Sequence, residues 1–299
     1  MGTQPGIVTL DISRRVHRLS RIQLFVVDVD GTLVGASGEP TPRVREAVAA
    51  AQEAGLRIAL CSGRPLASCG PIAQSLQLRG PHVVFNGALV KDPDRPGAVL
   101  KQPLPSAALD RLIERGRGEG LCLELYTEAT HFVERDWRES RLHASSIRVT
   151  YEIASFDAFF GRSDVIKAQI ITADERAREA TRRLADEFAN QLSFSIAIPM
   201  APCEGMECVN VVERTVSKGA AVRALIAYYG LSRCAVAGAG DASNDLPMFE
   251  EVGLRIAMGN ADPRIKAQAD LVCPGVDQDG LAVAIERVRR VDELKRTED

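Results

Sequence analysis

The sequence predicts an α/β protein: a Rossmann-like, three-layer parallel-sheet core interrupted by an inserted α+β cap domain. Three observations predict it. From Gln23 onward, short apolar runs alternate with helix-patterned stretches, a spacing that implies a parallel sheet with right-handed crossovers. The apolar runs in "LFVVDVD", "LRIALCSG" and "CAVAGAGD" are continuous, as suits strands covered on both faces. The texture changes after the turn "KDPDRPG" and the first texture returns after Val216.

Each element follows in order. Residues 1–20 show no clear periodicity and read as an extension, including most of the Arg-rich "RRVHRLSR", which reads as a solvated face. "LFVVDVD" is the first strand. "TPRVREAVAAAQEAG" is a helix with Thr41 at the N-cap, Pro42 at the first helical position and Gly55 as its stop. "LRIALCSG" is the second strand, "PLASCGPIAQSLQL" a helical stretch interrupted at Gly70-Pro71, and "HVVFNGALV" a third strand-like run. The next hundred or so residues mix helices such as "ADERAREATRRLADEFANQ" with strand-like "LCLELYT", "HFVER", "VIKAQIIT" and "LSFSIAI". "PMAPCEGM" is a loop. "SKGAAVRALIAYYG" then opens a helix capped by Ser217, followed by the strand "CAVAGAGD", the short helix "SNDLPMFEEVG" and the strands "LRIAMGNA" and "DLVCPG". The expected division is an extension over 1–20, a core from 21–89 and 205–299, and an inserted cap over 90–204.

Composition narrows the function. The chain has 299 residues, 45% of them apolar and 26% charged, and a net charge of -3. This is a globular composition without collagen, coiled-coil or disorder bias. Mild acidity argues against a nucleic-acid partner. No apolar run approaches the ~18 residues of a membrane span, and the N-terminus lacks a secretory h-region. The seven cysteines are irregularly spaced with no Cys-x-x-Cys pair, which fits reduced thiols in the cytoplasm. The four scattered histidines speak against a His-based zinc site.

Ligands of parallel α/β sheets bind beyond the carboxyl ends of the strands. Here the first strand ends in Asp28 and Asp30, the second in Ser62-Gly63-Arg64, and the "CAVAGAG" strand in Asp241, followed by Asn244 and Asp245. Lys218 opens the preceding helix. Side by side, these strands would bring four carboxylates together, and a hard divalent cation would relieve their repulsion. Oxygen-only ligands fit Mg²⁺. A cation beside a Lys, a hydroxyl and helix-start amides makes a phosphate site. Gly31 suits a turn that needs an unrestricted φ and close backbone approach.

"DVDGT" at Asp28–Thr32, "SGR" at Ser62–Arg64, "SKG" at Ser217–Gly219 and "GDASND" at Gly240–Asp245 resemble the four ordered motifs of the haloacid dehalogenase superfamily of phosphatases. "FNGALV" (Phe85–Val90) and "IAMGNA" (Ile256–Ala261) resemble flanking patterns of its Cof-type branch, subclass IIB, which carries a large cap between the second and third motifs. The resemblance spans about residues 22–290. It implies that Asp28 is the nucleophile forming an aspartyl-phosphate and that Asp30 is the general acid and base. It implies that Mg²⁺ is held by Asp28, the carbonyl of Asp30 and Asp241, with Asp245 in support. Ser62 with the adjacent Gly63 amide, Lys218 and Asn244 match the family's phosphate contacts. Arg64 is expected either to pair with a neighbouring carboxylate or to cover the cleft.

In such enzymes the cap selects the leaving group. Residues that could face the cleft are Glu124, Tyr126, Glu128, His131, Lys167, Glu204 and Glu207; Trp137 is expected to pack or lie on the surface. The expected activity is Mg²⁺-dependent hydrolysis of a small phosphorylated metabolite, such as a sugar phosphate. The alternatives are a phosphosugar mutase of the same superfamily and a non-catalytic module that binds phosphorylated ligands. The cap exposes enough surface for a homodimer, without requiring one.

Overall fold

The computed structural model describes residues 21–197, 203 and 205–296. The expected N-terminal extension, Glu204 and most of the loop "PMAPCEGM" lie outside the described residues.

Strand β1 (Leu24–Val27) leads to helix α1 (Pro42–Glu53). Thr41 caps α1 by accepting from Val44 N at 3.2 Å, and Gly55 follows it at φ +86°. β2 (Arg57–Leu60) and α2 (Leu66–Ser75) come next. The helix α2 runs through Pro71 without the expected interruption. Pro71 is only the sixth helical residue, and the carbonyl it leaves without a donor belongs to exposed Ala67, so little is lost. The run "HVVFNGALV" is not one strand. It folds into β3 (His82–Val84), a tight 3₁₀ turn at Phe85–Gly87, and β4 (Leu89–Lys91), which pairs back on β3 and then with β5 (Leu100–Lys101).

The chain continues through α3 (Ser106–Glu119), β6 (Cys122–Tyr126), β7 (His131–Val133), α4 (Arg138–Ser146), β8 (Glu152–Ile153), β9 (Lys167–Thr172), α5 (Glu175–Phe188), β10 (Leu192–Ala197) and β11 (Glu207–Glu213). It ends with α6 (Lys218–Tyr228), β12 (Val236–Gly240), α7 (Leu246–Glu251), β13 (Leu254–Ala257), α8 (Pro263–Gln268), β14 (Leu271–Val272) and α9 (Gly280–Arg296). Ser217 caps α6 by accepting from Ala220 N at 3.1 Å.

The core sheet is parallel, in the order β14-β13-β12-β1-β2. Both faces are covered. Phe25 and Val27 pack with Val44 and Val48 of α1 and Ile285 and Val288 of α9. Leu24 and Val26 pack on the other side with Ala221 and Leu225 of α6 and Phe249 of α7. The continuous apolar strand thus serves two layers, as expected. Burying each such side chain contributes about 1.5–3 kcal/mol.

A second sheet has six strands in the order β10-β11-β9-β6-β7-β8. One face buries Leu123, Leu125, Ala168, Ile170, Val209 and Val211 against Leu109 and Leu112 of α3 and Leu184 of α5. The opposite, alternating positions carry Glu124, Tyr126, Lys167, Gln169 and Asn210, and Gln169 pairs with Glu124 on one side and Asn210 on the other. Because β11 pairs with β9 and β10, this sheet extends to Glu213, past the boundary expected at 204/205. At the other end, β4 and β5 pair with β3 rather than with the six-stranded sheet, so the departure lies after Lys101 and not at residue 90. Both shifts come from strand pairing between distant segments, which local texture does not encode.

Candidate active site

The ends of β1, β2 and β12 lie side by side, since β1 pairs with both others. Asp28 N donates to Ala239 O at 3.0 Å, which fixes the first acid one residue beyond the strand. The chain then turns, with Gly31 N donating to Val34 O at 2.9 Å. Gly31 stands at φ +79°, and a Cβ there would come within 2.2 Å of Asp241 Oδ2. Only glycine allows this approach.

Asp28, Lys218 and Asp245 are buried. Lys218 Nζ donates to Asp28 Oδ1 at 2.5 Å and to Asp245 Oδ1 at 2.7 Å. The second oxygen of Asp245 accepts from the amides of Asp241 and Ala242, both at 3.0 Å, so Asp245 ties the loop to the lysine. Asp241 accepts from Thr32 Oγ1 at 3.1 Å. Asp28, Asp241 and Asp245 each offer an oxygen within 4.8 Å of the others. Burial, together with the charges of Asp245, Asp241 and Asp30, raises the Asp28 carboxyl well above the usual range, against the pull of Lys218. Burial, and then Asp245, raises Asp241 to about 6. Burial disfavours the Lys218 ammonium, but Asp245 and Asp28 outweigh it and raise its pKa. Three acids held this close, with one ammonium among them, retain the excess negative charge that a cation would neutralise.

Asp30 faces outward and is gripped by Arg64 through two parallel hydrogen bonds, at 2.9 and 2.6 Å. Burial works against the guanidinium charge, and the bond to Asp30 raises its pKa regardless. Arg64 therefore pairs with a carboxylate, the first of its two expected roles. Ser62 is buried, and its Oγ accepts from Arg64 N at 3.1 Å. Asn244 Nδ2 donates to Asn86 Oδ1 at 3.2 Å.

The whole of this arrangement falls inside a match to the model of the haloacid dehalogenase-like hydrolases, which covers residues 25–285. The chain belongs to that family. YxeH of Bacillus subtilis is 28% identical to this hydrolase over 275 residues, 88% of this chain and 97% of its own. The pyridoxal phosphate phosphatase YbhA of Escherichia coli is 26% identical over 275 residues, 87% of this chain and 96% of its own. A haloacid dehalogenase-like hydrolase from Bacteroides thetaiotaomicron superposes with a TM-score of 0.80 at 26% identity, covering 89% of this chain and 99% of its own. The core-plus-insert fold expected from the sequence is that of the family.

In this hydrolase the structure brings Asp28, Lys218, Asp241 and Asp245 into direct contact or near contact, with Asp30, Ser62, Gly63 and Asn244 on the flanking loops. Sequence reasoning missed Thr32, Asn86 and Asn260 as site residues. Asn260 Nδ2 donates to Gly31 O at 2.8 Å and so pins the turn. Asn260 and Asn86 both sit in Asn-Gly or Gly-Asn pairs within strand-flanking runs, a turn signal that was legible.

The cap residues separate into groups. Glu124 is buried and accepts from Tyr126 OH at 2.7 Å; His143 Nδ1 lies 2.9 Å and His131 Nε2 3.1 Å from it. Burial alone would raise Glu124, but His143 and His131 take it well below the usual carboxylate range. Lys167 Nζ lies 3.5 Å from the Gly63 carbonyl and over the Tyr126 ring, and burial lowers its pKa to about 8. Glu128 is held by Lys91 and Lys101, both at 3.2 Å. Glu207 pairs with Arg178 of α5 at 3.4 Å. Trp137 lies beside the Arg135 guanidinium, as a packing residue would. The cap touches the core through Ser68 Oγ, which donates to Ile147 O at 2.6 Å, and through the Arg148–Glu39 pair. Among the described residues, no helix is long and apolar enough to cross a membrane.

Proposed function

We propose that this hydrolase is a Mg²⁺-dependent phosphatase of small phosphomonoesters that works through an aspartyl-phosphate on Asp28. The observation that carries the reading is the contact of one buried lysine with two buried acids, with a third acid alongside. The donors are all hard oxygens, and the raised Asp28 and Asp241 carboxyls mark charge that a divalent ion would neutralise. Asp28, Asp241 and the carbonyl of Asp30 would hold Mg²⁺, with Asp245 anchoring the loop through its two amide bonds. Bound there, Mg²⁺ would neutralise charge on the transferring phosphoryl group.

The chain's own residues do the rest. Asp28 is held rigidly by the sheet and presents a carboxylate oxygen to phosphorus; the P–O bond to the leaving group breaks as the new one forms. Lys218 fixes the orientation of Asp28 and supplies a positive charge. Ser62 Oγ, the Gly63 amide and Asn244 Nδ2 donate to phosphoryl oxygens. Asp30 gives its proton to the leaving oxygen and later takes one from the attacking water. Arg64 holds Asp30 in one rotamer and must release it as the acid turns to the substrate. The name of YbhA, pyridoxal phosphate phosphatase, supports a small phosphorylated metabolite as substrate.

A screen of phosphorylated metabolites for phosphate release, with Mg²⁺ and with EDTA, tests this. Phosphate release that requires Mg²⁺ is expected. An isomeric phosphate ester as product would favour a mutase, and no turnover of any phosphomonoester would sink the reading.

A further inference from the structure

The turn Phe85–Gly87 is built against three of the four motif segments, and its central side chain has donors to spare. Phe85, Asn86 and Gly87 have φ of +53°, +57° and +106°, three left-handed residues in succession. Such a run is costly for Phe and persists only where its surroundings over-determine it. The surroundings are the site. Asn86 N donates to Ser62 O and Phe85 N to Arg64 O, both at 3.0 Å, which ties the turn to the second motif. A Cβ on Gly87 would stand 2.3 Å from Ser217 O, so the turn also abuts the start of α6 and Lys218. Asn86 Oδ1 accepts from Asn244 Nδ2 of the fourth motif. The Asn86 amide lies close to Gly63, whose own Cβ would come within 2.8 Å of Asn86 Oδ1.

The amide is thus fixed on two sides, and its Nδ2 is the end left over. Asn86 is 7% exposed, and Nδ2 meets no hydrogen-bond partner. A buried donor without a partner costs about 1–3 kcal/mol. Its two fixed neighbours, Gly63 and Asn244, belong to the loops assigned above to phosphate. We infer that Asn86 is a further phosphoryl-binding residue, donating from Nδ2 to an oxygen of the substrate's phosphate. The inference rests on the phosphatase reading for the presence of that group. It also accounts for the glycine at position 63: any larger residue would push the amide away.

Calorimetric titration of inorganic phosphate into the Mg²⁺-loaded full chain tests it. Asn86→Gly removes the donor and keeps the left-handed backbone. Its phosphate affinity should fall about tenfold or more, the value of one charge-assisted hydrogen bond. Asn86→Gly should weaken binding again in an Asn244→Ala background, because a direct ligand still has its own bond to phosphate to lose there, although the two losses need not add for side chains in contact. No further loss in that background would mean that Asn86 only positions Asn244, and would overturn the inference. So would unchanged affinity in Asn86→Gly itself. If the glycine variant fails to fold, Asn86→Asp keeps the shape, the left-handed φ and the acceptor for Asn244. Wild-type phosphate affinity in that variant would likewise overturn the inference. Failure of the wild type to bind phosphate would instead count against the phosphatase reading.

Discussion

Replacing Lys218 with Met isolates the electrostatics of the cluster. The ammonium lies 2.5 Å from Asp28 and 2.7 Å from Asp245, with all three side chains buried. Met keeps the apolar stem of the side chain and removes the ammonium, so two acids are left facing each other in a buried site. Removing one partner of a buried ion pair costs about 3–5 kcal/mol, and here one cation serves two acids. Proton uptake limits the cost. Burial already raises the Asp28 carboxyl, and Lys218 is the main influence lowering it, so the variant's carboxyl rises further. An acid whose folded pKa exceeds its unfolded value binds protons more tightly when folded. Its penalty is absent below the unfolded value, grows as pH rises and is complete above the folded pKa. Urea unfolding in EDTA should therefore show Lys218→Met less stable than wild type by about 3–5 kcal/mol near pH 8, and by much less near pH 5. A variant as stable as wild type near pH 8, or one whose deficit grows on acidification, would refute the reasoning.

Asp30→Asn should lower kcat/KM, which reports the step in which the leaving group departs, by about 10²–10⁴-fold for an alkyl phosphate and much less for p-nitrophenyl phosphate; equal losses in kcat/KM would count against the acid role. Gly31→Ala places a methyl group 2.2 Å from Asp241 Oδ2 at a φ of +79°, and should cost about 1–3 kcal/mol in thermal or urea unfolding and weaken Mg²⁺ binding. Unchanged Mg²⁺ affinity in that variant would count against Asp241 as a metal ligand. Asp241 is raised to about 6 and must be ionised to bind a cation, so protons compete with metal below that value. Asp28, the other carboxylate ligand, is raised as well, so apparent Mg²⁺ affinity by calorimetry should fall on acidification by about tenfold per unit or more once Asp241 is mostly protonated; a level profile down to pH 5 would contradict it.

What was legible in the sequence was local. Thr41, Pro42 and Gly55 mark α1, and Ser217 marks α6, because caps are made by residues a few positions apart. The motif acids could be placed together because each ends a strand of one parallel sheet. The pairing of β11 with β9 and β10 could not be read, since nothing in "CEGMECVNVVE" names its partner strands. The turn at Asn86 was hidden by the apolar residues around it, although Asn-Gly stood in the middle of the run. The Arg64–Asp30 pair was legible only as one of two roles, because which side chain a loop Arg meets depends on the opposing loop. The cap network of Glu124, His131 and His143 gathers residues up to 19 positions apart on one sheet face and one helix, and periodicity gives faces but not partners.

The most direct measurement is to trap the phosphoenzyme. The full chain is mixed with radiolabelled acetyl phosphate and Mg²⁺, quenched in acid and digested. The account predicts label on the peptide bearing Asp28, lost with EDTA and absent from Asp28→Asn. Phosphate release by the wild type without labelled protein, or equal labelling of Asp28→Asn, would contradict it.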